Sequence, residues 1–154
     1  DNANALIARM QAQLDQYQPK VTDIARNQWV ALDYNSWGTS SGVDTTWQAV
    51  LINAGIINGS ATFEQGAYGQ VAMSKELIVD INPDILFLPG WIYGDSEAAN
   101  GFYQQVVNDP ALKEVTAIKT GRIYQIPENL RGTYSQYIID TIGYVIDTVH
   151  SSVE

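Results

Sequence analysis

Short apolar segments that alternate with helix-forming segments place the strongest limit on how this chain of 154 residues can fold. The segment Ile85–Leu88 is apolar at every position and lies between two proline-containing turns, which predicts a strand buried on both faces. Trp29–Leu32 and Arg122–Ile126 are further strand candidates. Short strands separated by helices predict a three-layer α/β fold with a mostly parallel central sheet.

The helices are predicted from apolar spacing and from capping residues. Near the start of the chain, apolar residues recur at three- and four-residue spacing up to Tyr17, and Pro19 is expected to end that helix. Ser74 is a candidate N-cap for a short helix, and Asp95 or Ser96 for a later one. The predicted helices are Asn4–Tyr17, Thr45–Ala54, Ser74–Ile81, Asp95–Val107 and Tyr134–Val149. The connections are predicted to be irregular over Tyr34–Asp44 and Ile56–Gly69 and extended over Thr116–Lys119.

The composition excludes several classes of function. Eight basic residues against 17 acidic ones give a net charge of −9, which disfavours nucleic acid and anionic membrane surfaces as partners. The chain has no cysteine and a single histidine, His150, so thiolate metal sites, histidine metal sites and His-centred catalytic triads are not expected. No carboxylate pair suggests acid–base catalysis. We therefore expect a binding protein with no catalytic residue, no metal site and no cofactor.

Aromatic residues cluster in the loops that follow predicted strands. Because ligands of open α/β sheets bind beyond the carboxyl ends of the strands, these loops are the expected binding edge. Trp37, Trp91, Tyr93 and Tyr134 lie there and predict a platform for a large, partly apolar ligand. Arg131 lies in the loop Pro127–Gly132, beside Tyr134, and can hydrogen-bond an anionic or oxygen-rich ligand; the alternative is a helix-capping or surface arginine. The alternative is that these aromatic rings pack under their own loops.

Other notable residues have simpler interpretations. Trp29 and Trp47, in a strand and on a helix, are expected to pack in the core. Asp95 and Glu97 lie where a helix begins, where negative charge is stabilising. They are interpreted either as a cap and a solvated charge or as a docking contact for a basic partner.

An ordered set of motifs resembles the iron-chelate and vitamin B12 class of ABC-transporter solute-binding proteins. The motifs stand in the family's order: Ala54–Gly55, Val71–Leu77, Ile81–Leu88, Leu112 and Ala117–Pro127. With the terminal helix that ends the family pattern, the match extends over about 100 residues. Two departures are mild: Ile56 replaces the second glycine of the first motif, and Ile118 replaces a valine of the last.

The resemblance implies a particular domain organisation. Proteins of this class have two α/β lobes joined by one long helix, and they hold the ligand between the lobes. Residues 1–20 would be the end of that interlobe helix, and residues 21–154 the C-terminal ligand-binding lobe. The N-terminal lobe, with its signal peptide and lipid-anchor cysteine, would lie upstream. The implied location is extracytoplasmic, either periplasmic or on the cell surface as a membrane-anchored lipoprotein.

The resemblance also implies a function and its partners. The chain would bind a metal chelate, with a ferric siderophore favoured, and deliver it to an ABC permease in the membrane. Haem or cobalamin binding by the same fold is an alternative, as is a surface interaction or sensor domain that transports nothing. An enzyme of similar scaffold, such as a metal-cluster oxidoreductase subunit, is disfavoured because cysteine is absent.

Family members carry an exposed glutamate on each lobe that pairs with permease arginines. Glu97 is the nearest match, and Asp95 is the second candidate. The aromatic residues and Arg131 selected above map onto the loops that face the ligand in this family.

Overall fold

A parallel sheet forms the centre of the molecule in the computed structural model, which describes residues 2–127, 129–130 and 135–153. The described strands are, in chain order, β1 (Val30–Asp33), β2 (Thr39–Ser41), β3 (Ile57–Asn58), β4 (Gln70–Ala72), β5 (Ile85–Pro89) and β6 (Ile123–Ile126). Four of them form the central sheet in the order β3-β1-β5-β6, with every neighbouring pair parallel. Strands β2 and β4 form a separate antiparallel pair.

Helices cover both faces of the central sheet. They are α1 (Asn2–Arg26), α2 (Thr46–Asn53), α3 (Lys75–Ile81), α4 (Ser96–Val107), α5 (Thr116–Thr120) and α6 (Ile138–His150). In β5, Ile85 and Phe87 pack with α1, α2 and α6, whereas Leu86 and Leu88 pack with α3, α4 and α5. Because successive strand side chains point to opposite faces, an all-apolar strand supplies both cores. The predicted three-layer α/β fold with a mostly parallel sheet is confirmed.

Several predicted helix ends are confirmed by their capping contacts. The Ser74 hydroxyl accepts a hydrogen bond from the Leu77 N–H, and the Asp95 carboxylate accepts from the Glu97 and Ala98 N–H groups. These contacts satisfy amide donors that have no partner within the first helical turn. The helices α3 and α4 therefore begin where the sequence indicates.

The first helix does not end near Pro19 as predicted, and α1 continues to Arg26. Proline in a helix interior removes one backbone hydrogen bond. The second half of α1 offsets that loss by packing on α6, where Ile24 is completely buried and Tyr17 lies against Gly143. Residue 20, the predicted domain boundary, falls inside this continuous helix.

Four other expectations about local structure are wrong. The segment predicted as extended, Thr116–Lys119, lies in the one-turn helix α5, which Gly121 ends in a left-handed conformation. The segments predicted as irregular contain strand β2 and strand β3 respectively. The last helix was predicted to begin at Tyr134, a residue outside those described. The helix α6 begins at Ile138.

Candidate functional site

A cleft of about 620 Å³ lies at the carboxyl edge of the sheet. Strand β1 ends at Asp33, and the chain after it supplies Asn35 and Trp37 to the lining. Helix α2 contributes Trp47, and the turn before β4 contributes Tyr68. The parallel arrangement brings these segments together because all four strands of the central sheet end at this edge.

A buried carboxylate forms one polar wall of the cleft. Asp33 accepts hydrogen bonds from the Ser40 hydroxyl (2.9 Å), the Ser41 N–H (2.8 Å) and the Ser41 hydroxyl (2.6 Å). Charge-assisted hydrogen bonds of this kind are stronger than neutral ones. Asp33 therefore fixes strand β2, and with it the β2–β4 pair, against the end of β1.

Asn35 shapes the loop that carries Trp37. Its side-chain oxygen accepts from the Trp37 N–H (3.0 Å) and the Thr39 N–H (3.2 Å), while its amide donates to the Thr39 hydroxyl (2.8 Å). This short-range turn leaves the Trp37 indole 69% exposed at the mouth of the cleft.

Three of the predicted ligand residues come together. The Trp37 indole N–H donates to the Tyr93 hydroxyl at 3.1 Å, and the two rings meet edge to face with centroids 6.1 Å apart. Trp91 lies beside them and lines a smaller cavity of about 120 Å³ with Trp37 and Tyr93. The other two, Arg131 and Tyr134, lie outside the described residues.

Two cleft residues were missed by the sequence analysis. Trp47, expected in the core, does pack edge to face on Phe87 (centroids 5.2 Å apart), but it is only half-buried and lines the cleft. Tyr68 lies in a segment predicted to be an irregular connection, and its ring is 95% exposed. Gly69 was the available signal, because glycine readily adopts the positive φ that tight turns require, and its φ here is 70°.

The two candidate docking acids differ in their local roles. Both are exposed where α4 begins. Asp95 caps the helix through Oδ1, with 2.7 Å to the Glu97 N–H and 3.2 Å to the Ala98 N–H. Glu97 is in the first turn of that helix. Of the two, Glu97 is thus the one whose carboxylate is not part of the cap.

An ion pair that shifts two pKa values lies away from the cleft lining. Lys75 and Asp109 form an ion pair at 2.6 Å. The hydrogen bond and charge of Lys75 lower the pKa of Asp109, and the same contact raises the pKa of Lys75. This pair joins the start of α3 to the segment after α4.

The sequence model of the periplasmic binding protein family matches residues 1–130. The chain belongs to this family. The predicted family resemblance is therefore confirmed. No curated protein sequence is significantly similar to the chain.

Solved structures with the same fold include several periplasmic binding proteins. An ABC-type Fe³⁺-hydroxamate transport protein from Saccharomonospora viridis has a TM-score of 0.75 and 21% identity, with 97% of this chain and 49% of that chain covered. CeuE from Helicobacter pylori with Ni(II) bound has a TM-score of 0.75 and 22% identity, with 98% and 46% covered. The periplasmic haem-binding protein BhuT, in complex with two haems, has a TM-score of 0.75 and 16% identity, with 98% and 56% covered.

This periplasmic-binding-protein chain spans about half the length of those structures. That share fits one lobe of a two-lobe protein. Among residues 2–127, 129–130 and 135–153, no helix combines the length and the apolar character needed to cross a membrane.

Proposed function

We propose that this chain is the C-terminal lobe of the substrate-binding protein of an ABC importer for a metal chelate, with a ferric siderophore as the favoured substrate. The observation that carries the proposal is the aromatic cleft at the carboxyl edge of a periplasmic-binding-protein fold. Trp37, Trp47 and Tyr68 give it broad apolar ring surface, and Asn35 and Thr39 give it hydrogen-bonding groups. A large organic chelate needs both.

The proposed mechanism is binding and delivery without chemical change. The cleft provides one half of the site, and a second lobe, reached through α1, provides the other half. Closure of the two lobes buries the chelate. Arg131 and Tyr134 remain predicted ligand contacts in this scheme. The proposed location is extracytoplasmic, in the periplasm or on a lipid-anchored protein.

A chelate is favoured over a bare metal ion because of where the ion-binding side chains lie. The single histidine, His150, is 3.1 Å from Asp23 in a separate pocket between α1 and α6. Within the described part of the chain, no group of three or more histidine and acidic residues could hold a metal. The Fe³⁺-hydroxamate transport protein and the haem-binding protein BhuT, which share this fold, support the same substrate class.

Glu97 is the proposed permease contact, since its exposed carboxylate suits arginines on a membrane partner. Glu97→Lys should abolish chelate uptake in cells while leaving chelate binding by the purified protein unchanged. Glu114→Lys, an equivalent change at an exposed acid outside the cleft lining, is the matched control. Loss of both binding and uptake in Glu97→Lys would contradict a docking role.

A thermal-shift panel tests the proposed substrate class. Ferric siderophores, haem and cobalamins are each added to the chain and to the chain joined to its proposed N-terminal lobe. A saturable rise in unfolding temperature with one chelate supports the proposal, since ligands that bind only the folded state stabilise it. A shift with haem or cobalamin alone would replace the siderophore with that ligand. If no chelate shifts either protein, a surface interaction or sensor domain becomes the better interpretation.

A further inference from the structure

A buried side-chain amide lies in the central sheet. Asn58, in β3, is 7% exposed. Asparagine is depleted from strands and is usually exposed, because its amide has two N–H donors and an oxygen acceptor that all need partners. Local preference therefore does not explain why this residue occupies a buried strand position, whereas its hydrogen-bond partners do.

Every polar group of the Asn58 side chain has a partner. The amide nitrogen donates to the Ser41 carbonyl (3.0 Å) and to the side-chain oxygen of Gln48 (2.8 Å). The amide oxygen accepts from the Ser60 N–H (3.1 Å). A fully satisfied polar network of this kind holds one arrangement, because a displacement leaves a polar atom without a partner in a region of low dielectric constant.

The two acceptors of Asn58 belong to elements that form different walls of the cleft. The strand wall is formed by Thr39 and Ser41 of β2, and the helix wall by Thr46, Trp47 and Val50 of α2. Asn58 binds Ser41 in the strand wall and Gln48 in the helix that carries the other wall. Neither Asn58 nor Gln48 is among the described residues that line the cleft. These two side chains form a cross-wall tie that lies outside the binding surface.

The strand wall is itself fixed to the central sheet. The Ser41 N–H and hydroxyl donate to Asp33, the last residue of β1, at 2.8 Å and 2.6 Å. Hydrogen bonds therefore connect the end of β1 to α2 through Ser41 and Asn58. In the chain, residues 42–45 join the two walls. The cross-wall tie restrains the distance between them directly.

We infer that Asn58 and Gln48 are positioning residues that keep the two walls at a fixed separation and so determine the size of the chelate that binds. This inference rests on the proposed function and narrows its substrate class. A cleft of about 620 Å³ with fixed walls admits a compact chelate and disfavours one whose substituents need the walls to move apart.

Size selection is tested with two ferric trihydroxamates that have the same net charge and differ in one bulky acyl group. The protein, joined to its proposed N-terminal lobe, is titrated with each compound, and tryptophan fluorescence gives the two Kd values. The measured quantity is their ratio, bulky over compact. Because the charges are equal, charge contacts such as the one predicted for Arg131 affect both values alike. We expect the wild-type ratio to be at least about ten, a discrimination that a shaped pocket can produce.

The cross-wall tie is tested by Gln48→Met, which removes the acceptor and keeps the length of the side chain. The ratio should fall about fivefold, the value of one hydrogen bond, because the helix wall can then move to admit the bulky group. Gln48→Glu keeps an acceptor for the Asn58 amide and should have the wild-type ratio. Asn58→Ala removes both hydrogen bonds of the tie and should lower the ratio at least as far; Gln48→Met decides the question if Asn58→Ala does not fold.

Ile78→Val is the matched control for a general loss of stability. Ile78 is completely buried in the core on the other face of the sheet, so losing one methylene group destabilises the fold away from the cleft. A purely structural role for the tie predicts the same behaviour in Ile78→Val and Gln48→Met, with both Kd values changed alike. We expect the ratio to stay at its wild-type value in Ile78→Val.

The outcomes separate this inference from the proposed function. A wild-type ratio near one, an unchanged ratio in Gln48→Met, or an equal fall in Gln48→Glu or Ile78→Val would overturn the inference while chelate binding stands. If neither trihydroxamate binds the wild-type protein, the proposed siderophore substrate is wrong as well.

Discussion

Two tryptophans at the carboxyl edge of the sheet bury a hydrogen-bond donor that the fold does not use. The indole Nε1 atoms of Trp47 and Trp91 are buried and have no hydrogen-bond partner among the described residues. Buried donors without partners are rare in folded proteins because each one loses its hydrogen bond to water. Both residues line cavities at this edge, so either N–H group is free to donate to a polar atom of the proposed ligand.

Trp47→Phe should separate the contribution of the aromatic ring from the contribution of the indole N–H group. The phenyl ring keeps the contact with Phe87, so the free energy of unfolding should change by less than about 1.5 kcal/mol. Chelate affinity should fall about fivefold to tenfold, the value of one hydrogen bond. Trp29→Phe is the control, since Trp29 is a core residue stacked under Arg122 and should not affect binding. Equal chelate affinity in wild type and Trp47→Phe would show that the N–H group has no ligand role.

The position of most site aromatics could be predicted because loop residues after parallel strands share one edge. Trp37, Trp91 and Tyr93 were found in this way. Tyr68 was not, because its place at the cleft depends on the pairing of β2 with β4, which is set by contacts distant in sequence. Trp47 was assigned to the core because a helical tryptophan usually packs there, and only the tertiary structure shows its second exposed side.

Among the elements, local signals succeeded where one capping residue decides the structure and failed where packing decides it. Ser74 and Asp95 begin their helices as predicted. The helix α1 continues past Pro19 because it packs on α6. The short helix α5 forms because the Thr116 N–H donates to the Asn82 side chain and the Ala117 N–H to the Pro83 carbonyl, neither of which a sequence pattern reveals.

The β2–β4 pair should depend strongly on Asp33. Asp33→Ala leaves two serine hydroxyls and one backbone N–H without their acceptor in a buried region, which should cost about 3 kcal/mol of unfolding free energy. Urea denaturation measures this cost. Asp44→Ala, a change at an exposed carboxylate in the same region, should cost less than about 1 kcal/mol. Similar stabilities of the two variants would contradict the role given to Asp33.

The ion pair between α3 and the segment after α4 should make stability depend on pH at both extremes. The pKa of Asp109 lies below its usual value of 3.8 in the folded chain, so its stabilising effect is present above pH 3.8 and is lost as the pH falls through the lowered pKa. The pKa of Lys75 lies above 10.5, so its effect is present below pH 10.5 and is lost as the pH rises through the raised pKa.

Asp109→Asn should therefore be less stable than wild type at neutral pH, and the difference should shrink in acid below pH 3.8. Thermal unfolding followed by circular dichroism between pH 2 and 7 measures this difference. Glu114→Gln breaks a longer, exposed pair with Lys119 (3.4 Å) and serves as the control, with little effect expected. A constant difference between Asp109→Asn and wild type over the whole range would contradict the ion-pair explanation.

At the scale of the molecule, the described residues join a hydrophobic core on each face of the sheet to an open carboxyl edge. Both faces of the sheet are covered by helices, whereas exposed aromatic rings remain at the carboxyl edge. The absence of cysteine, the single histidine and the lack of a carboxylate pair predicted a binding role rather than catalysis. The fold could be predicted because apolar strands and caps are local signals, but the identity of the ligand could not, because a second lobe is proposed to supply half of its contacts.

The decisive experiment is a fluorescence titration of the four native tryptophans with ferric siderophores, haem and cobalamin. It compares this chain with the same chain joined to its proposed N-terminal lobe. The two-lobe proposal predicts saturable quenching by a ferric siderophore that is tight only in the longer protein, because only there are both halves of the site present. If the longer protein binds no metal chelate, the delivery function is wrong and the aromatic edge should be tested as a protein-docking surface.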